Sequence, residues 1–86
     1  MIEAPPHGFA GPVKRSVTIA GHATSISLEP AFWTALERAA RERGLPLSAL
    51  IAKIDALRIK QRHPPNLASA IRTWILLSRE RENSSH

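Results

Sequence analysis

Polar and apolar residues alternate from Thr24 to Glu29, with Ile26 and Leu28 on one side of the alternation. This period of two is typical of a half-buried β-strand. Pro30 ends the pattern, because proline cannot donate to a sheet but fits the first turn of a helix. From Phe32 onward the apolar spacing becomes helical. The pattern therefore predicts a strand that leads directly into a helix.

A second alternating run, Lys14–Ile19, precedes this strand. Between the two runs, a two-residue turn with Gly21 first and His22 second matches the signature of a type II′ β-hairpin. Closing the hairpin there gives the sheet one apolar and one hydroxyl-rich face, which cross-strand pairing favours. The predicted pairs are Ile19–Thr24, Val17–Ile26 and Arg15–Leu28 on the apolar face, with Thr18–Ser25 and Ser16–Ser27 on the other.

The remaining apolar spacing predicts three helices, Pro30–Arg43, Leu47–Gln61 and Leu67–Arg79. The buried face of the first consists of Phe32, Trp33, Leu36, Ala39 and Ala40, and that of the second consists of Leu47, Leu50, Ile51, Ile54 and Leu57. Gly44 is suited to end the first helix, and Asn66 is suited to cap the third. Asp55 lies three positions before Arg58, so we expect an ion pair along the second helix. The third helix has an unusually broad apolar face, formed by Leu67, Ala70, Ile71, Trp74 and Leu77 and widened by Ile75 and Leu76. Such a face indicates burial against a neighbouring helix or subunit.

The length of 86 residues suits one domain. We expect a flexible arm over residues 1–12, which contain three prolines and two glycines, a folded domain over 13–79 and a frayed polar tail over 80–86. The chain has no cysteine, which excludes disulfide-stapled folds and thiolate metal sites. It also has no signal-peptide pattern and no apolar run long enough to span a membrane, so we expect a cytoplasmic protein. A net charge of +5 favours polyanionic partners.

The order of strand, helix, glycine turn and helix resembles the ribbon-helix-helix domain family. The joint between the helices, Glu42–Ile51, shares this resemblance. A longer set of segments is similar to a bacterial subfamily of small ribbon-helix-helix proteins with an added C-terminal helix: Lys14–His22, Thr24-Ser25, Leu28-Glu29, Phe32-Trp33, Ile54-Asp55 and Asn66–Arg72. The resemblance covers residues 14–77. It implies an α+β, mostly α fold, a ribbon-helix-helix homodimer with an N-terminal β-hairpin and a third C-terminal helix.

The resemblance also implies a function. In this family two chains interlock their helices, and one strand from each chain forms an antiparallel two-stranded ribbon that enters the major groove of double-stranded DNA. The base-edge residues would be Thr24, Ser25 and Ser27, with Glu29 next in the row. Phosphate would be held by Lys14 and Arg15 and by the start of the second helix at Leu47 and Ser48. The dimer core would contain Ile26, Leu28, Phe32, Trp33, Leu36, Leu50, Ile51 and Ile54.

Three features depart from the family pattern. The ribbon offers serines and a carboxylate instead of the Arg, Lys, Asn or Gln side chains that read bases bidentately. Pro46 stands where a capping Ser or Thr is common, and the hairpin adds a strand to each ribbon strand. The sequence therefore leaves two functions open, a homodimeric DNA-binding transcriptional regulator and a dimeric protein-interaction module of the same fold.

An enzyme or metal protein is the least supported class. The four histidines, His7, His22, His63 and His86, have no partner at helical ligand spacing, and the carboxylates are scattered over helix surfaces. No nucleophile has a recognisable base beside it, and no glycine-rich phosphate loop precedes a helix. We therefore expect no catalytic residues, no metal and no cofactor.

Overall fold

The computed structural model describes residues 1–83 and consists of a β-hairpin followed by three helices. This architecture confirms the predicted α+β, mostly α class, with its N-terminal β-hairpin and third C-terminal helix. None of the helices in this described part is both long and apolar enough to cross a bilayer. The elements are β1 (Val13–Ile19), β2 (His22–Leu28), α1 (Pro30–Glu42), α2 (Leu47–Arg58) and α3 (Leu67–Asn83).

The two strands form an antiparallel hairpin, as predicted, but the predicted register is wrong. The turn is Ala20-Gly21, and both residues have positive φ, 52° and 82°. Two consecutive positive φ values are the signature of a type I′ turn and not of the expected type II′ turn. Ile19 consequently pairs with His22 instead of Thr24. Because the register differs by two residues, every side chain stays on its predicted face.

The apolar face of the hairpin packs against the helices and forms part of a single core. Ile19, Ile26 and Leu28 are buried, and Val17 is half-buried. β1 lies against α2, whereas β2 lies against α1 and α3. The full set of buried residues is Ile19, Ile26, Leu28, Trp33, Leu36, Ala40, Leu50, Ile51, Ile54, Ile71 and Ile75.

α1 begins and ends as the sequence predicts. Pro30 occupies its first turn, and the helix stops at Glu42, one residue before the expected end. Gly44 has a φ of 65°, a conformation that favours glycine. Its N–H donates to the Arg41 carbonyl at 3.0 Å, and the Leu45 N–H donates to the Ala40 carbonyl at 2.9 Å. This pair of bonds is a Schellman motif.

α2 ends at Arg58, three residues before the predicted end at Gln61. Past this point the Lys60 and Gln61 N–H groups bond to carbonyls three residues back, at 3.3 and 3.0 Å. This spacing is that of a 3₁₀ turn, so the α-helix does not continue. The Arg58 guanidinium donates to the Pro65 carbonyl at 3.1 Å and to the Asp55 carboxylate at 2.8 Å. The predicted Asp55–Arg58 pair is therefore confirmed, and Arg58 also holds the following turn.

α3 begins at the predicted cap, where the Asn66 Oδ1 accepts the Ser69 N–H at 2.8 Å. The helix continues past the predicted end near Arg79 to Asn83. The rest of the expected frayed tail, residues 84–86, lies outside the described residues. The buried face is narrower than predicted, because Ile71 and Ile75 are buried whereas Leu76 and Leu77 are 57% and 53% exposed.

Candidate nucleic-acid interface

The hairpin presents a polar face on the side away from the core, which we call the outer face. It consists of Lys14, Ser16 and Thr18 on β1 and Ala23, Ser25 and Ser27 on β2, joined as the pairs Lys14–Ser27, Ser16–Ser25 and Thr18–Ala23. All are exposed except Ser27, which is half-buried. The outer face therefore offers several neutral hydroxyl groups and one ammonium group to a partner.

The structure brings together only two of the three predicted base-edge residues. Ser25 and Ser27 lie on the outer face, two positions apart on the same strand. Thr24 pairs with Val17 and shares the opposite side of the sheet with Ile26 and Leu28, where it is half-buried. This separation follows from the alternation of side chains along a strand.

The two predicted phosphate contacts on β1 also lie on opposite faces. Lys14 is on the outer face, whereas Arg15 pairs with Ile26 and extends toward α1. The Arg15 guanidinium lies 4.6 Å from the centre of the Trp33 ring, and its Nη1 is 3.9 Å from the Glu37 Oε2. Arg15 is thus held over α1 by a cation–π contact and an ion pair.

Trp33 connects α1 to the start of β1. Its ring is buried, with 1% of its surface exposed, and its Nε1–H donates to the Val13 carbonyl at 2.9 Å. The apolar pattern of α1 predicts the burial of Trp33 but gives no sign of this bond, which joins residues 20 positions apart. The indole fixes where the hairpin begins and so helps to orient the outer face.

A bidentate ion pair that the sequence pattern does not predict joins Glu29, at the end of β2, to Arg72 on α3. The Arg72 Nε donates to the Glu29 Oε1 at 3.0 Å, and Nη2 donates to Oε2 at 3.2 Å. These bonds from Arg72, together with the Glu29 backbone N–H, lower the pKa of the Glu29 carboxyl below its ordinary value of 4.5. The partners are 43 residues apart, so no local pattern could indicate them.

The start of α2 offers two backbone donors. The Pro46 carbonyl accepts the Ala49 and Leu50 N–H groups at 3.0 and 3.2 Å. The preceding N–H groups, those of Leu47 and Ser48, have no carbonyl one turn before them in the helix. These are the residues that the family resemblance assigns to phosphate. Ser48 is exposed, and Pro46 has no side-chain oxygen that could cap the helix.

The residues expected in a dimer core are already covered within one chain. Phe32 is half-buried, and the other seven are buried: Ile26, Leu28, Trp33, Leu36, Leu50, Ile51 and Ile54. The apolar pattern predicted their burial correctly, but the hairpin and α3 of the same chain supply the covering surface. The seven buried residues are part of the core of the protomer.

The described residues contain no group of three or more His, Asp or Glu side chains placed to hold a metal ion. Comparison with protein families gives a match to the family described as "Ribbon-helix-helix domain" over residues 12–78. The matched range includes both strands, α1, α2 and most of α3. Searches of curated proteins and of solved structures each return no significant match.

Proposed function

Because the chain belongs to the ribbon-helix-helix domain family, we propose that it is a homodimeric DNA-binding protein that regulates transcription in the bacterial cytoplasm. Proteins of this family are typically DNA-binding transcription regulators. The observation that supports the proposal is the exposed polar outer face of the hairpin. In this structure both strands of the two-stranded sheet come from one chain, so the hairpin of each protomer is the proposed ribbon. A two-stranded β-ribbon has the width that the major groove of DNA admits, and alternate side chains can reach the base edges.

In this proposal Ser25 and Ser27 meet the base edges. A serine hydroxyl both donates and accepts, so it can contact any base but discriminates less well than a bidentate side chain. Thr24 lies on the other face of the sheet and is left out of the proposed contact surface. We therefore expect sequence preference to be modest in each half-site and to depend on how the dimer spaces two half-sites.

Phosphate binding is assigned to Lys14 and to the free N–H groups of Leu47 and Ser48. An ammonium group on the outer face can reach the sugar–phosphate backbone beside the groove, and a helix N-terminus attracts anions. α2 packs against β1, so both phosphate-binding groups belong to neighbouring elements. Arg15 contributes positive charge, while Trp33 and Glu37 hold its side chain over α1.

A salt titration of DNA binding tests the proposal. Wild-type protein should bind duplex DNA at about 50 mM salt, and the logarithm of its affinity should fall linearly with the logarithm of the salt concentration. Lys14→Ala should weaken binding and reduce the salt slope by about 1. Lys60→Ala is a matched control, because Lys60 is exposed in the turn after α2, and it should keep the wild-type slope. Absence of binding at low salt would refute the proposal.

The alternative function is a dimeric protein-interaction module of the same fold that does not read DNA sequence. The exposure of three leucines, Leu57, Leu76 and Leu77, on α2 and α3 favours it. This alternative predicts that the protein does not bind DNA at low salt. It also predicts a stoichiometric protein partner whose binding is lost in Leu76→Ser. A DNA footprint confined to particular sequences would exclude it.

A further inference from the structure

Glu29 continues the row of side chains that begins with Ser25 and Ser27. Its backbone is still extended, with φ −60° and ψ 149°, so the alternation of the strand reaches it. A free carboxylate at this position would stand at the end of the proposed DNA-binding surface. It would repel the phosphates of any duplex placed against the outer face.

Arg72 holds this carboxylate from α3. Two nitrogens of the guanidinium bond to the two carboxylate oxygens at 3.0 and 3.2 Å, a fork-to-fork geometry that a lysine cannot reproduce. The guanidinium also lies 5.8 Å from the centre of the Phe32 ring on α1. Both members of the pair are partly shielded from solvent. The carboxylate is therefore neutralised and fixed in direction.

We propose that Arg72 is a positioning residue for DNA binding, which cancels the charge of Glu29 and turns its carboxylate toward α3 and away from the phosphates. The inference rests on the proposed function. It gives α3 a role in binding DNA although the helix itself does not enter the groove. It also explains how a ribbon that ends in a carboxylate remains compatible with a polyanion.

The test compares DNA affinity at low salt for wild type, Arg72→Gln, and the double variant Arg72→Gln/Glu29→Gln. Arg72→Gln frees the carboxylate and should weaken binding about 5- to 10-fold. The double variant removes the carboxylate as well and should return to within about 2-fold of wild type. Circular dichroism should establish that each variant is folded. If Arg72→Gln does not fold, Arg72→Met, which keeps the aliphatic packing beside Phe32, replaces it in both variants.

If DNA affinity depended only on net charge, any variant that removes one acidic residue from Arg72→Gln would also regain affinity. A charge-matched control is therefore needed. Arg72→Gln/Glu42→Gln has the same net charge as the first double variant but keeps Glu29, and Glu42 is exposed at the end of α1. The proposal predicts that this control stays as weak as Arg72→Gln. Equal rescue by both double variants, or wild-type affinity in Arg72→Gln, would overturn the inference while the DNA-binding function stands. Failure of the wild-type protein to bind DNA would overturn both.

Discussion

Trp33 joins α1 to the hairpin through one side chain. The indole ring is buried in the core, its Nε1–H bonds to the Val13 carbonyl, and the Arg15 guanidinium lies over its face. The hydrogen bond that the buried indole donates and the cation–π contact each add to the stabilisation from apolar burial. Trp33 therefore stabilises the fold and sets the position of β1 at the same time.

Replacing Trp33 by Phe should lower the free energy of unfolding by about 2 kcal/mol, because it removes the hydrogen bond and part of the buried ring. Urea unfolding measures this change. Trp74→Phe is the matched control, since Trp74 is half-buried and its ring contacts Arg43 near the surface. Equal losses in the two variants would contradict the role given to the Trp33–Val13 bond.

Glu29 makes the stability of the fold depend on pH. The bonds from Arg72 lower the Glu29 pKa, so the pair stabilises the folded state above the ordinary value of 4.5. This contribution is lost as the pH falls below 4.5 and through the lowered pKa. Glu29→Gln should therefore have a lower melting temperature than wild type near neutral pH, and the difference should vanish in strong acid. A difference that persists in strong acid would show that the Glu29 carboxylate is not the source of the stabilisation.

The hairpin shows that a sequence pattern can predict the faces of a strand without predicting its register. Alternation fixed the two faces correctly, but the register depends on the turn. The predicted turn would place Val13 opposite Pro30, which cannot join the ladder. The observed turn allows seven cross-strand pairs and places Val13 opposite Leu28. This turn requires a positive φ at Ala20, which is sterically unfavourable for a residue with a Cβ.

Substitutions at the two turn residues, Ala20 and Gly21, should change the free energy of unfolding in opposite directions. Ala20→Asn should raise the free energy of unfolding by about 0.5–1 kcal/mol, because asparagine tolerates positive φ and Asn-Gly favours type I′ turns. Gly21→Ala should lower it by about 1 kcal/mol. Gly11→Ala, in the exposed arm with no atom within 4 Å of the added Cβ, is the control and should change little. Urea unfolding that shows a loss for Ala20→Asn would contradict the turn assignment.

Across the whole molecule, the sequence predicts which residues are buried better than it predicts which element or chain covers them. Helical spacing correctly marks Leu36, Leu50 and Ile51 as buried. It wrongly includes Leu57, which is 54% exposed, and it cannot tell whether the same chain or a partner covers the buried residues. In the same way, strand alternation places Ser25 and Ser27 on one face, whereas the Glu29–Arg72 pair depends on how α3 packs against β2. Contacts between distant elements leave no local pattern.

The proposed homodimer has a direct physical test. With the core residues covered within the protomer, the exposed leucines of α2 and α3 are an apolar surface that a second copy can bury while the hairpin stays two-stranded. Sedimentation equilibrium should give a mass twice that of the 9.5 kDa chain. A mass equal to one chain at all concentrations would refute the dimer.

Binding of DNA to the outer face of the hairpin can be mapped by NMR, from the amide chemical shifts during titration with a short duplex at low salt. We expect the largest shifts at Ser16, Ser25 and Ser27 and at the first turn of α2. Shifts confined to α3, or no shifts at all at low salt, would contradict it.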